Sequence, residues 1–168
     1  MSSFGPLHHQ EVRDAVGDQG LYAEAAEPSQ GLVTYSVISY SAHDLPQAYR
    51  GMVFAKWLRS LRFGNDYFKL VDSACYYSAY HRYISNILGK LETVVTVAVL
   101  SDDKDVALGF SVSRGNILDY VHVHKDQRKQ GIGTRLIPRG IDTITHLTRT
   151  GLSIWGSKYK AWKFDPFT

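Results

Sequence analysis

Residues 121–136 read Val121-His122-Val123-His124-Lys125-Asp126-Gln127-Arg128-Lys129-Gln130-Gly131-Ile132-Gly133-Thr134-Arg135-Leu136. The stretch passes from an extended run to a helical one through a loop with two glycines. Ile117 to His124 reads as a strand. A helix is expected from about Gly131 to His146, with Ile132, Leu136, Ile137, Ile141, Ile144 and Leu147 as its buried stripe. Gly131 and Gly133 lack a Cβ, so the backbone there can turn sharply and approach a ligand closely. The amides from Lys129 to Thr134 lie at a helix N-terminus, where several N–H groups have no internal partner. Lys125, Arg128, Lys129 and Arg135 surround them with positive charge. Such a loop suits a phosphate or a pyrophosphate.

Three phosphate-binding patterns compete for it. A P-loop needs Lys and then Ser or Thr after its second glycine, and Gly133 is followed directly by Thr134. A dinucleotide fingerprint needs a third glycine where Leu136 stands, within a parallel crossover. The third pattern, Arg/Gln-x-x-Gly-x-Gly/Ala, is met by Arg128-Lys129-Gln130-Gly131-Ile132-Gly133. On this loop, after a strand and opening a helix, the chain resembles the GNAT superfamily of N-acetyltransferases. The family has Pro after the motif's His and an aromatic before its Arg; Lys125 and Gln127 stand there instead.

The resemblance implies that the amides of Arg128, Lys129, Gln130, Gly131, Ile132, Gly133 and Thr134 hold the pyrophosphate of acetyl-CoA, the acyl donor. It implies that the pantetheine arm runs along Val121 and Val123 like an added strand, with the thioester near Val121 and His122. An amine acceptor must lose a proton before it attacks the thioester, so a base is needed. Asp119 and His122 lie on the right strand, and their odd separation points them to opposite faces of a regular strand. The leaving thiolate needs a proton; Tyr159, the one tyrosine after the motif, is the candidate donor. His122 and His124 share a strand face at a spacing that can bind metal, but no third ligand stands near them and no metal is expected.

Working outward, Leu32 to Ser39 is expected to form a strand, and Asp44 to cap a helix that ends at Gly64-Asn65. A second helix is expected over Asp66 to Leu88, carrying Tyr76, Tyr80 and Tyr83 as a packing stripe. Glu92 to Leu100, Val106 to Ser113 and Ile117 to His124 form a meander, and a last short strand is expected over Leu152 to Trp155 after Gly151. The fold class is α+β, a GNAT-like mixed and mostly antiparallel sheet flanked by helices, with a shortened C-terminal part. Pro138 inside the helix expected after the glycine loop predicts a kink or a short first helix.

Residues 1–30 are expected to form a loosely held arm, and 31–168 a single acyl-CoA-binding domain. The lone Cys75 cannot make an internal disulfide, and its aromatic neighbours suggest a buried position. Lys and Arg exceed Asp and Glu by only 19 to 16, so nucleic acid is not an expected partner. No apolar run approaches the ~20 residues of a membrane helix, and the N-terminus has no signal-peptide pattern, so a cytoplasmic protein with no membrane partner is expected. The expected function is transfer of an acetyl group from acetyl-CoA to a primary amine, of a small molecule or a protein, by direct attack, with a homodimer as one way to complete the acceptor side. The alternative is a GNAT-fold protein that binds CoA or docks on a partner without catalysis. The chain also resembles short GNAT-like proteins of tailed bacteriophages, which implies the cytoplasm of an infected host and a host protein as acceptor.

Overall fold

Thr93 to Leu100 is mostly apolar on both sides, and from Val95 to Val99 both sides are buried. Val95, Val97 and Val99 enter one core cluster while Ala98 enters another. Alternating residues of a strand point to opposite faces, so a strand buried on both must be apolar nearly throughout. A computed structural model describes residues 33–168 of the chain. The arm expected over residues 1–30 lies outside the described residues.

The strands are β1 (Tyr35–Ser41), β2 (Thr93–Leu100), β3 (Ala107–Arg114), β4 (Ile117–Val123), β5 (Thr143–Ile144) and β6 (Lys163–Phe164). They form one sheet in sequence order, antiparallel from β1 to β4, with β5 parallel to β4 and β6 parallel to β5. The helices are α1 (Gln47–Gly64), α2 (Asp66–Leu70), α3 (Ser73–Leu88), α4 (Ile132–Leu136) and α5 (Arg149–Lys158). Val53, Trp57 and Leu61 of α1 and Ile84, Ile87 and Leu88 of α3 pack on one face of the sheet against Val95, Phe110, Val112 and Tyr120. Ile132 and Leu136 of α4 close the opposite face on Ala98 and Leu108.

Five expectations are corrected. The N-cap position of α1 belongs to Pro46, whose side chain accepts nothing; Asp44 stands two residues too early. The helix expected over 66–88 is two helices, because Asp72 Oδ1 accepts from the Cys75 amide at 3.0 Å and starts α3 afresh. That register leaves Cys75 exposed rather than buried. The helix after the glycine loop stops at Leu136. Ile137, before Pro138, is extended (φ −83, ψ 120), as the proline ring requires. Ile141, Ile144 and Leu147 are buried as expected, but from an extended segment containing β5. The strand expected over Leu152–Trp155 is α5 instead: Thr148 Oγ1 accepts from the Gly151 amide at 3.1 Å, which puts Gly151 in a first turn, not after a last one. The fifth strand therefore comes nine residues earlier than expected, and α5 and β6 follow it.

Candidate functional site

β4 carries a bulge. Val112 opposes Tyr120 and Ser113 opposes Leu118, which leaves Asp119 as an extra residue. The bulge undoes the simple alternation that put Asp119 and His122 on opposite faces. Beyond it, Tyr120 and His122 lie against Phe110 on the α1 side, with ring centroids 6.3 and 5.8 Å away. Asp119 lies against Thr145. β5 pairs with β4 only at Ile117 and Leu118, and the two strands then part. The outer edge of β4 is therefore open from the bulge onward. The His124 amide donates to the Leu108 carbonyl at 2.8 Å, so antiparallel alternation turns the main-chain groups of Val121 and Val123 away from β3, toward that open edge.

After β4 comes one turn of 3₁₀-helix, Lys125–Gln127. Lys129 (φ 66) and Gly131 (φ 77) are both left-handed. For glycine this is free; for lysine it costs ~1–2 kcal/mol and must be held by its surroundings. Left-handed residues two apart turn successive N–H groups toward one concavity, a geometry that takes anions. The Arg135 amide closes the first turn of α4 on the Gly131 carbonyl at 3.2 Å. The amides of Ile132, Gly133 and Thr134 in that turn have no intrahelical acceptor. The helix has only five residues, so its local amides matter more than any macrodipole.

A cavity of about 680 Å³ opens on this loop. Its walls run from Arg128, Lys129, Gly131, Ile132, Gly133 and Thr134 along Tyr120, Val121, His122 and Val123, and reach Trp155, Lys158 and Tyr159. Gln130 is not among them: its Oε1 accepts from the Val33 amide at 3.4 Å and its Nε2 donates to Gln127 at 3.2 Å, so it ties the loop down. Arg135 also turns away, its guanidinium 5.3 Å from the Tyr35 ring centre. Arg128 Nε donates to the Val123 carbonyl at 3.3 Å. Lys158, which the sequence did not single out, crosses from α5 to Thr134 Oγ1 at 2.9 Å and brings a cation to the rim.

Asp119 is fully buried and does not line this cavity. Both its carboxylate oxygens are held at 2.7 Å by Arg114, a bidentate pair in the interior. His122 does line it. Burial lowers its imidazole to about 4, helped by the positive charges of Arg128, Lys56 and His124. Tyr159, half-buried at the end of α5, stacks on Trp162 at 4.2 Å. Among the described residues no group of three or more His, Cys, Asp or Glu could hold a metal ion, and no helix is long and apolar enough to cross a membrane.

A second cavity, also about 680 Å³, lies beyond β5 between α2, α3 and α5. Tyr80, Tyr83, His146 and Phe164 line it, and it shares Gly64, Thr148 and Trp155 with the first. The sequence places His146 at the end of an expected helix, where no local pattern marks it, and the extended segment brings it into this cavity instead. Burial lowers it to about 4, against the opposing pull of Asp119 and with a smaller push from Arg114. Tyr80 and Tyr83, both raised by burial, are the other titratable groups against its ring.

Two histidines kept neutral by burial make stability depend on pH. Their folded pKa is about 4 against 6.5 for the exposed group, so between those values the unfolded chain binds more protons. Their contribution is complete above pH 6.5 and is lost as pH falls toward 4. Urea unfolding between pH 7.5 and 4.5 is expected to show a loss of roughly 2–3 kcal/mol per histidine, and His122→Phe should flatten the slope; a flat profile in the parent chain would refute the burial.

No protein-family model matches the sequence, and no curated protein matches it. Solved structures do. A candidate acetyl transferase from Pyrococcus furiosus superposes with a TM-score of 0.55 at 15% identity, over 80% of this chain and 96% of that one. The apo form of YjaB from Escherichia coli matches at 22% identity and a TM-score of 0.41; the match spans 61% of each chain. An aminoglycoside acetyltransferase from an uncultured soil metagenomic sample matches at 14% identity and 0.44, over 76% of this chain and 86% of that one. The superposition on the Pyrococcus furiosus structure, together with the sheet order, makes the fold GNAT-like.

Proposed function

We propose that this GNAT-like domain is an N-acetyltransferase that moves an acetyl group from acetyl-CoA to a primary amine by direct attack. The observation that carries the reading is the continuity of one cavity from the glycine loop, along the open edge of β4, to Tyr159. A CoA thioester has this order of parts: a pyrophosphate, an extended amide-bearing arm, and a reactive carbonyl. The loop amides from Arg128 to Thr134 suit the pyrophosphate, with Gln130 contributing by holding the loop's shape. The outward main-chain groups of Val121 and Val123 suit the arm, which then pairs as a strand does. When bound, the thioester supplies an activated acyl carbon.

The chain's own groups supply the rest. A main-chain N–H near the β4 bulge can stabilise the developing oxyanion. Of the two β4 bases suggested by sequence, His122 alone reaches the cavity, and it is neutral at physiological pH. Asp119 is locked on Arg114. Tyr159 is the group available to protonate the departing thiolate. Acetyl-CoA turnover over a panel of primary amines tests the reading. Tyr159→Phe is expected to lower kcat ~10²-fold or more while leaving acetyl-CoA affinity unchanged. Unchanged kcat removes Tyr159 from the chemistry; no acetylation of any amine, by a chain that binds acetyl-CoA, removes the enzyme.

A further inference from the structure

The second cavity contains an imidazole that the donor side does not use. His146 is surrounded by aromatic rings: Tyr83 at 5.1 Å, Tyr80 at 5.8 Å and Trp57 at 5.9 Å between centroids. Its Nδ1 lies 2.7 Å from Thr145 Oγ1. The Thr145 hydroxyl in turn sits 3.2 Å from the Asp119 carbonyl and 3.3 Å from its Oδ1. Asp119 is fixed by Arg114, and as an ionised carboxylate it can only accept. A hydroxyl has one proton. If Thr145 donates it to Asp119, Nδ1 must carry the proton of the Thr145–His146 bond. The lone pair then falls on Nε2, on the far side of the ring from Thr145. Tyr83 also lines this cavity, with its hydroxyl buried toward Thr145.

Resting on the acyl-transfer reading, we propose that this cavity receives the acceptor, that His146 Nε2 is the general base, and that the acceptor is a primary amine on an apolar or aromatic body. The three walls shared by the two cavities put acceptor and donor side by side. The amine class follows from the lining. Among the described residues Asp66 is the only carboxylate lining it, and Lys69 and Arg149 both engage it. Among the described residues a polycation would find one carboxylate, already shared by two cations, whereas tyrosine, phenylalanine, leucine and tryptophan faces suit an uncharged body. Burial favours the neutral amine. In the step, the amine nitrogen forms the C–N bond to the acyl carbon and one N–H proton passes to Nε2. The C–S bond breaks, and the thiolate takes a proton from Tyr159. Histidine then returns its proton, and tyrosine regains one, through solvent. Among the described residues no side chain hydrogen-bonds His122 to fix its tautomer, and its ring feels the charges of Arg128 and Lys56.

The test combines kinetics with NMR. An arylalkyl primary amine such as phenethylamine is expected to be acetylated with a higher kcat/KM than spermidine. His146→Gln is expected to lower kcat ~10²–10⁴-fold without changing acetyl-CoA affinity by calorimetry. In the parent chain, ¹⁵N shifts of His146 are expected to report the Nδ1–H tautomer. The Nε2–H tautomer overturns the base whatever the variant does. Wild-type kcat in His146→Gln overturns it and leaves acyl transfer standing. A preference for spermidine overturns the acceptor class, and acetyl-CoA binding with no amine turnover overturns both this inference and the enzyme.

Discussion

A folded Gly133→Glu variant is expected to lose at least a hundredfold in acetyl-CoA affinity by titration calorimetry. Gly133 is the position where loop chemistry and fold separate most cleanly. It lies in α4 with an ordinary helical backbone, unlike Gly131 at φ 77. A Cβ built on it meets only Val123 Cγ2, at 3.6 Å, an ordinary contact. Glu is a better helix former than Gly by several tenths of a kcal/mol, so stability should hold or rise. The effect falls on the ligand. Gly133 lines the cavity beside Val123, and a carboxylate there meets the charge of a diphosphate. At ~4 Å and an effective dielectric of about 20, one such like-charge pair costs ~4 kcal/mol, roughly a thousandfold. Gly131→Ala is the instructive contrast: its Cβ meets nothing within 4 Å, yet the left-handed backbone makes it strained. Wild-type affinity in folded Gly133→Glu would remove the loop as the pyrophosphate site.

The loop was legible because its signals are local. Two glycines, a preceding strand and an Arg three residues before the first glycine need no tertiary context, and the three-stranded meander follows from alternation and short turns. The same locality explains the failures. A glycine can end a helix or sit in its first turn, and only the Thr148 hydroxyl three residues earlier decides that Gly151 does the second. Ile141, Ile144 and Leu147 are spaced as a helical stripe, but a short extended segment bounded by Gly140 (φ 83) and Thr148 buries them as well. The bulge at Asp119 leaves no trace in composition, yet it overturned the face assignment that alternation gave. His146 was missed for a compound reason. Its value depends on Thr145, Asp119 and Arg114, residues up to 32 positions apart in sequence, brought together by a parallel strand pairing of two residues.

Asp119→Ala is expected to cost about 3–5 kcal/mol in unfolding free energy. Arg114 is 6% exposed and Asp119 0%, and the pair is joined by two bonds of 2.7 Å. Removing the carboxylate leaves a buried guanidinium without its counter-charge, which is where the cost comes from. The attraction within the pair is not itself a large gain, since burying both charges is expensive. Replacing both partners by apolar residues of similar size should therefore recover most of the loss. Arg114→Met with Asp119→Leu is the variant that separates structure from chemistry. In it the Thr145 hydroxyl keeps the position 119 carbonyl as acceptor, but loses the carboxylate that biases it toward donating there. Thr145 is then freer to donate to His146 Nδ1, which shifts the ring toward the Nε2–H tautomer and withdraws the lone pair. The double variant should unfold near the parent's urea midpoint, bind acetyl-CoA as the parent does, and still acetylate an arylalkylamine at least tenfold more slowly. Stability and turnover restored together would mean that the ion pair serves the sheet alone.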